Sequence, residues 1–145
     1  PTGQGWILRA EIIWNKPNCQ PESVKDRPTR SHEYVFLFSK NEKYFYDHEA
    51  IKEPALDVKQ RSKNRRTVWS INTEPYPGSH FAVFPKQLAR LCVLAGSMKG
   101  DRVLDPFFGS GTTGVVCNDL DRQCTGVELN EDYAELARSR LLRGT

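Results

Sequence analysis

Arg102-Val103-Leu104-Asp105-Pro106-Phe107-Phe108-Gly109-Ser110-Gly111-Thr112-Thr113-Gly114 is the stretch on which the reading of this chain turns. A short apolar strand ends on an acid, a glycine-rich turn follows, and two threonines open a helical segment that Val115, Val116, Cys117 and Leu120 continue. A second short strand, Cys124-Thr125-Gly126-Val127-Glu128, also ends on an acid. Gly109, Gly111 and Gly114 keep the G-x-G-x-x-G spacing. Glu128 stands about 20 residues further on, where nucleotide-binding folds place a carboxylate against the ribose. Glycines at such a turn let backbone amides approach a ligand that a Cβ would push away, and Glu128 can accept from two ribose hydroxyls. A glycine turn between strand and helix is often no more than a tight turn. Here strand, turn, helix, strand and acid follow in the required order, which points to a nucleotide-type ligand.

Asp105 through Thr113 closely resembles the S-adenosylmethionine motif of the DNA amino-methyltransferases, which modify adenine N6 or cytosine N4. Gly126-Val127-Glu128-Leu129-Asn130-Glu131-Asp132-Tyr133 looks like the second motif of that family. The charge pattern agrees independently: an acid directly before the turn repels a pyrophosphate and suits the cationic sulfonium and amino group of S-adenosylmethionine. The resemblance implies an α/β, Rossmann-like S-adenosylmethionine-dependent methyltransferase sheet, incomplete in this chain. It implies cofactor contacts from Asp105, Pro106, Phe107, Gly109, Ser110, Gly111, Thr112, Glu128 and Asn130. Gly78 to Pro85 is similar to the segment leading into the helix that holds the cofactor's methionine part, which adds His80 and Phe81. A turn cap for His80 and packing under a helix for Phe81 are their local alternatives.

Composition sets the broader frame. The 145 residues suit one domain with a moderate core, and 38% hydrophobic against 27% charged residues suits a soluble protein with long polar loops. No apolar run approaches the ~20 residues of a membrane span, and no basic-then-apolar leader opens the chain. Cys19, Cys92, Cys117 and Cys124 form neither a C-x-x-C pair nor a zinc spacing, so reduced thiols in a cytoplasmic protein are expected, with no metal; a prokaryotic or phage-like source is what the resemblance implies.

Along the chain, Leu8–Trp14 and His32–Lys40 read as two neighbouring strands, the second apolar enough to be covered on both faces. Residues 15–32, with three prolines, read as a loop. Tyr44 to Asp47 suggests a short strand and Ile51 to Leu56 a turn of helix. Lys59, Arg61, Lys63, Arg65 and Arg66 place five positive charges in eight residues. They describe either a solvated loop or an arm on the DNA backbone, and the resemblance favours the arm, with Arg27 added. Thr67–Ile71 restarts ordered structure, and Glu74–Gly78 is a turn. Pro85 opens a helix with Leu88, Leu91, Cys92 and Ala95 on one face and Gly96 as its stop. A last helix starts with Asn130 as cap and turns Tyr133, Leu136, Ala137 and Leu141 to the core. The expected organisation is one partial methyltransferase domain over 1–145, a DNA-contacting loop over 41–66 and a cofactor-binding part over 80–145.

One departure from the family pattern limits the function. These enzymes position the target amino group with a D/N/S-P-P-Y/F/W tetrapeptide whose ring stacks on the flipped base. No Pro-Pro pair occurs in this sequence, so no catalytic residue is assigned. In the permuted order the resemblance indicates, the tetrapeptide precedes Pro1. The expected partners are double-stranded DNA and either a missing N-terminal half or a second chain, with a homodimer as one form of the latter and no membrane. A DNA-binding remnant without catalysis and a dinucleotide-binding oxidoreductase fragment are the competing functions.

Overall fold

The computed structural model describes residues 5–55, 61–74 and 83–143. The chain divides into two compact units, Pro1–Phe45 with Arg65–Thr73, and Tyr46–Asn64 with Glu74–Thr145.

In the first unit β1 (Ile7–Asn15) pairs antiparallel with β2 (His32–Ser39), as their shared β-branched and aromatic content requires. The short β5 (Val68–Ser70) lies parallel to β1 on its other side. Two contacts lock that parallel pairing across a long sequence separation. Trp14 Nε1 donates to the Ile71 carbonyl at 2.8 Å, and Asn18 exchanges hydrogen bonds with the backbone of Thr73 at 2.8 and 3.1 Å. Alternation sends Ile12, Trp14 and Trp69 to a buried face. The opposite face carries Leu8, Tyr34, Phe36, Phe38 and Val68, all between 46% and 53% exposed. This corrects the expectation of a second strand covered on both faces. Its aromatics instead form a row, with Tyr34 stacked on Phe36 at 5.9 Å and Phe36 tilted on Phe38 at 6.2 Å between centroids.

The second unit holds β3 (Glu53–Pro54), β4 (Ser62–Lys63), α1 (Lys86–Gly96), β6 (Arg102–Asp105), α2 (Thr112–Asp119), β7 (Gln123–Gly126) and α3 (Glu131–Arg143). The strand expected at Tyr44–Asp47 does not form, and the turn of helix after Ile51 is replaced by β3, which pairs antiparallel with β4. Proline at position 54 cannot donate to a helical ladder, and an edge pair tolerates it.

β6, α2 and β7 make a βαβ unit with the two strands parallel in the register Asp105↔Gly126. Ala89 and Val93 of α1 pack with Val116, Cys117 and Leu120, and Leu94, Val103 and Cys124 close around them. Burial of an aliphatic side chain in such a cluster contributes about 1.5–3 kcal/mol. Leu104 on the other face of β6 is 65% exposed, so this strand pair is covered on one side only. The described strands form a three-stranded sheet in the order β2-β1-β5 and the pairs β3-β4 and β6-β7, a partial methyltransferase sheet.

Pro85 sits one position before α1 rather than in it, with φ −68°, and its carbonyl accepts from Leu88 at 3.0 Å. Cys92 faces outward, and Ala89 and Val93 take the buried places beside Leu88, Leu91 and Ala95. The helix ends at Gly96, as expected. Ser97 follows as its C-cap and donates its hydroxyl to the Val93 carbonyl at 2.6 Å. α3 begins as expected, with Asn130 Oδ1 accepting from Asp132 at 2.9 Å and from Tyr133 at 3.3 Å.

Candidate functional site

Parallel pairing of β6 and β7 brings two carboxylates to the same end of the strand pair, the end where α/β folds bind ligands. Asp105 accepts from the Phe107 amide at 3.0 Å through Oδ1 and from the Thr113 hydroxyl at 2.6 Å through Oδ2. The acid therefore pins the turn to the first turn of α2. Glu128 lies two residues beyond β7 and accepts from the Gly109 amide at 2.7 Å and from the Asn130 amide at 2.9 Å. The amides of Asn130 and then Gly109 hold its carboxyl below the ordinary value of 4.5, so it is an anion at neutral pH. Phe108 N donates to the Val127 carbonyl at 2.9 Å and Val127 N to the Asp105 carbonyl at 2.9 Å, which stitch turn and strand end together.

The glycines divide by what surrounds them. Gly109, at φ +51°, faces open space, and a Cβ there would meet nothing within 4 Å. At Gly111, φ +80°, a Cβ would come within 2.9 Å of the Ala137 Cβ of α3. At Gly114 it would lie 2.6 Å from the tip of the Phe108 ring, and at Gly126 2.3 Å from the base of the same ring. Gly109 leaves its Cβ direction open. The other three make room for Phe108 and α3, an intramolecular demand that no spacing rule separates from a ligand's.

Neighbouring side chains in the turn take opposite directions. Phe107 is 86% exposed beside the acids, whereas Phe108 turns inward onto Gly126 and Gly114. Pro106 is exposed. Ser110 is buried, and its carbonyl and hydroxyl both receive Arg140 Nη1, at 2.7 and 2.8 Å. Thr112 is 3% exposed at the start of α2, and its hydroxyl has no partner among the described residues. Leu129, next to Glu128, is 97% exposed. Asn130, two residues after Glu128, caps α3 through Oδ1 and is exposed. An open glycine, a buried unpartnered hydroxyl, two acids and two bare apolar side chains suit a ligand with sugar hydroxyls, an apolar ring and positive charge. Among the described residues no His, Cys, Asp or Glu cluster could hold a metal.

His80, Phe81 and Lys59 lie outside the described residues. Two of the other basic side chains stand beside acids. Lys63 stands 3.8 Å from Glu53 across the β3–β4 pair, and Arg27 is 2.6 Å from Glu22. Arg61 is exposed, and its carbonyl accepts from Ala55 at 2.9 Å. Arg66 is exposed and Arg65 partly so. Sequence reasoning missed Phe108, Thr113, Gly126 and Arg140 as parts of this site. A residue number cannot say which of two adjacent phenylalanines points inward, and Arg140 reads only as a cation near a helix end.

The fold and site together define a βαβ nucleotide-type binding unit with acids at both strand ends. The chain belongs to the N6/N4 DNA methylase family, whose model matches residues 2–139. It is 76% identical over 139 residues to Type II methyltransferase M.SmaI of Serratia marcescens, covering 96% of this chain and 48% of that protein. It is 59% identical over 137 residues to M.Cfr9I of Citrobacter freundii, covering 94% of this chain and 45% of that protein. The chain thus spans about half the length of the curated relatives it matches. Among solved structures, the M1.HpyAVI–SAM complex superposes with a TM-score of 0.74 at 26% identity, over 94% of this chain and 63% of that one.

Proposed function

We propose that this chain is the cofactor-binding portion of a DNA methyltransferase that moves a methyl group from S-adenosylmethionine to the exocyclic amino group of adenine (N6) or cytosine (N4). The observation that carries this reading is the pair of acids, Asp105 and Glu128, at the ends of adjacent parallel strands on either side of the open Gly109 turn. Membership of the N6/N4 DNA methylase family supports the reaction class, and the M1.HpyAVI complex supports the cofactor.

When bound, S-adenosylmethionine supplies an electrophilic methyl on a sulfonium. The chain's residues bind and orient. Glu128 keeps lone pairs for ribose hydroxyls even while it holds two amides. Thr112 offers a buried hydroxyl whose hydrogen bond is not yet made, and Asp105 places negative charge near the cation. Phe107 and Leu129 present apolar surface to a ring. Positioning of the methyl against the base nitrogen then carries most of the rate. His80 and Phe81 belong to the proposed methionine end of the site, within a cofactor part spanning 80–145.

Double-stranded DNA is the proposed substrate, contacted through the 41–66 segment and Arg27, with Arg61, Arg65, Arg66, Lys59 and Lys63 on phosphates. Serratia marcescens and Citrobacter freundii are bacterial sources of the relatives, and no helix among the described residues is long and apolar enough to cross a membrane. A bacterial cytoplasmic setting, a restriction-modification role and completion of the sheet by an upstream half or a second copy complete the proposal. The absence of a Pro-Pro pair favours a second reading, a DNA-binding remnant without catalysis. Calorimetry of the complete protein with S-adenosylmethionine and, separately, with NAD tests the site. Heat from NAD and none from S-adenosylmethionine would move the chain to the oxidoreductases. A D/S-P-P-Y sequence in the upstream half, with methyl transfer to DNA, dismisses the remnant.

A further inference from the structure

We infer that Arg140 is a positioning residue for the cofactor, acting through Ser110; this rests on the function proposed above. The turn needs such a clamp. Gly109 and Gly111, on either side of Ser110, are both left-handed, at φ +51° and +80°, a conformation glycine adopts easily and leaves as easily. Ser110 is buried, and its hydroxyl is engaged by Arg140. A single guanidinium nitrogen, Arg140 Nη1, donates to both the Ser110 carbonyl at 2.7 Å and the Ser110 hydroxyl at 2.8 Å from a helix thirty residues along the chain. These charge-assisted bonds hold backbone and side chain of the one residue between the two flexible glycines.

The clamp is part of a larger brace. The N-terminal end of α3 is held by Glu128, whose carboxylate accepts the Asn130 amide at 2.9 Å. Its middle meets the turn at Ala137, with Gly111 so close that a Cβ would stand 2.9 Å away. Its later part carries Arg140. One helix therefore spans both loops of the candidate site, setting the distance between the ribose-side acid and the glycine turn. Loosening Arg140 lets the open Gly109 segment sample conformations that Glu128 alone does not restrain, and a ligand must then order it on binding.

The experiment uses the complete methyltransferase carrying this chain, with Arg140→Ala, Arg140→Lys and Ser110→Ala. S-adenosylhomocysteine affinity is measured by calorimetry, and KM for each substrate and kcat by tritiated methyl transfer. Arg140→Ala is expected to weaken S-adenosylhomocysteine binding and raise KM for S-adenosylmethionine about tenfold, with kcat at saturating cofactor and KM for DNA within about twofold of the parent. Arg140→Lys keeps one charged donor and should recover part of that loss. Ser110→Ala removes only the hydroxyl bond and should lose less, about threefold, and it reads the same clamp if Arg140→Ala fails to fold. Unchanged cofactor affinity in folded Arg140→Ala, or equal losses in kcat and both KM values, overturns the inference. Absence of S-adenosylhomocysteine binding by the unmutated protein would instead overturn the function on which it rests.

Discussion

The Glu128 carboxylate accepts the Gly109 amide at 2.7 Å, so the acid after the second strand closes the turn that follows the first. The same carboxylate takes the Asn130 amide at 2.9 Å and so begins α3. An acid that reads in sequence as a ligand contact is thus also a structural tie, and its removal acts on both.

Glu128→Ala should therefore weaken S-adenosylmethionine binding by the complete protein about tenfold or more, since ribose contacts and turn geometry go together. The pH dependence follows from the amides that depress its pKa below 4.5. A depressed carboxylate contributes stability that is fully present above its unfolded value and is lost as pH falls through the folded value. The Glu128 contribution should persist at about pH 5 and fade only below the ordinary carboxylate range. Carboxyl NMR titration checks the pKa, and calorimetry that finds unchanged affinity in the variant removes Glu128 from the site.

Gly126→Ala places a Cβ 2.3 Å from the base of the Phe108 ring, where the side chain cannot swing clear without its backbone. Destabilisation of about 1–3 kcal/mol is expected, the range for overpacking. Phe108→Leu should offset part of it in the double variant. Additive losses in thermal melts would show that the two residues do not meet.

Basic residues near β4 should set the salt dependence of DNA binding in the complete protein. Neutralising Lys59, Arg61 and Lys63 together is expected to flatten the slope by about 0.9 log units for each phosphate no longer neutralised. Lys63 is the weakest candidate of the three, because Glu53 lies 3.8 Å away. Restoring Lys63 to the triple variant should change the slope least. Mobility shifts across a salt series with an unaltered slope would return this segment to an ordinary solvated turn.

The 145-residue chain alone should transfer no methyl group to DNA, since no Pro-Pro tetrapeptide is present to hold and stack the base. It should also self-associate, because Leu8, Tyr34, Phe36, Phe38 and Val68 expose one apolar sheet face. Tritiated methyl transfer with light scattering tests both statements. Catalysis by a clean monomer would contradict them together.

The local elements were written in the sequence. β6, the glycine turn, α2, β7 and the Asn130 cap follow from short-range rules, namely alternation, helical spacing and a side chain bonding the next amides. The pairing of Leu8–Trp14 with the strand after His32 was legible for the same reason. Other features are decided by neighbours far along the chain. The row Tyr34, Phe36, Phe38 reads as buried by composition, but exposure depends on what covers the sheet. Gly111 and Gly114 satisfy a ligand-binding spacing, and the lack of a Cβ there also leaves room for Ala137, Leu141 and the Phe108 ring. Which of Phe107 and Phe108 turns inward, and that Arg140 reaches Ser110, depend on where α3 packs. Sequence alone determined the ligand-binding elements and their order, because those rest on interactions within a few residues. Only the tertiary structure decided which side chains stay exposed at the turn and which hold it, because packing across the chain sets side-chain direction.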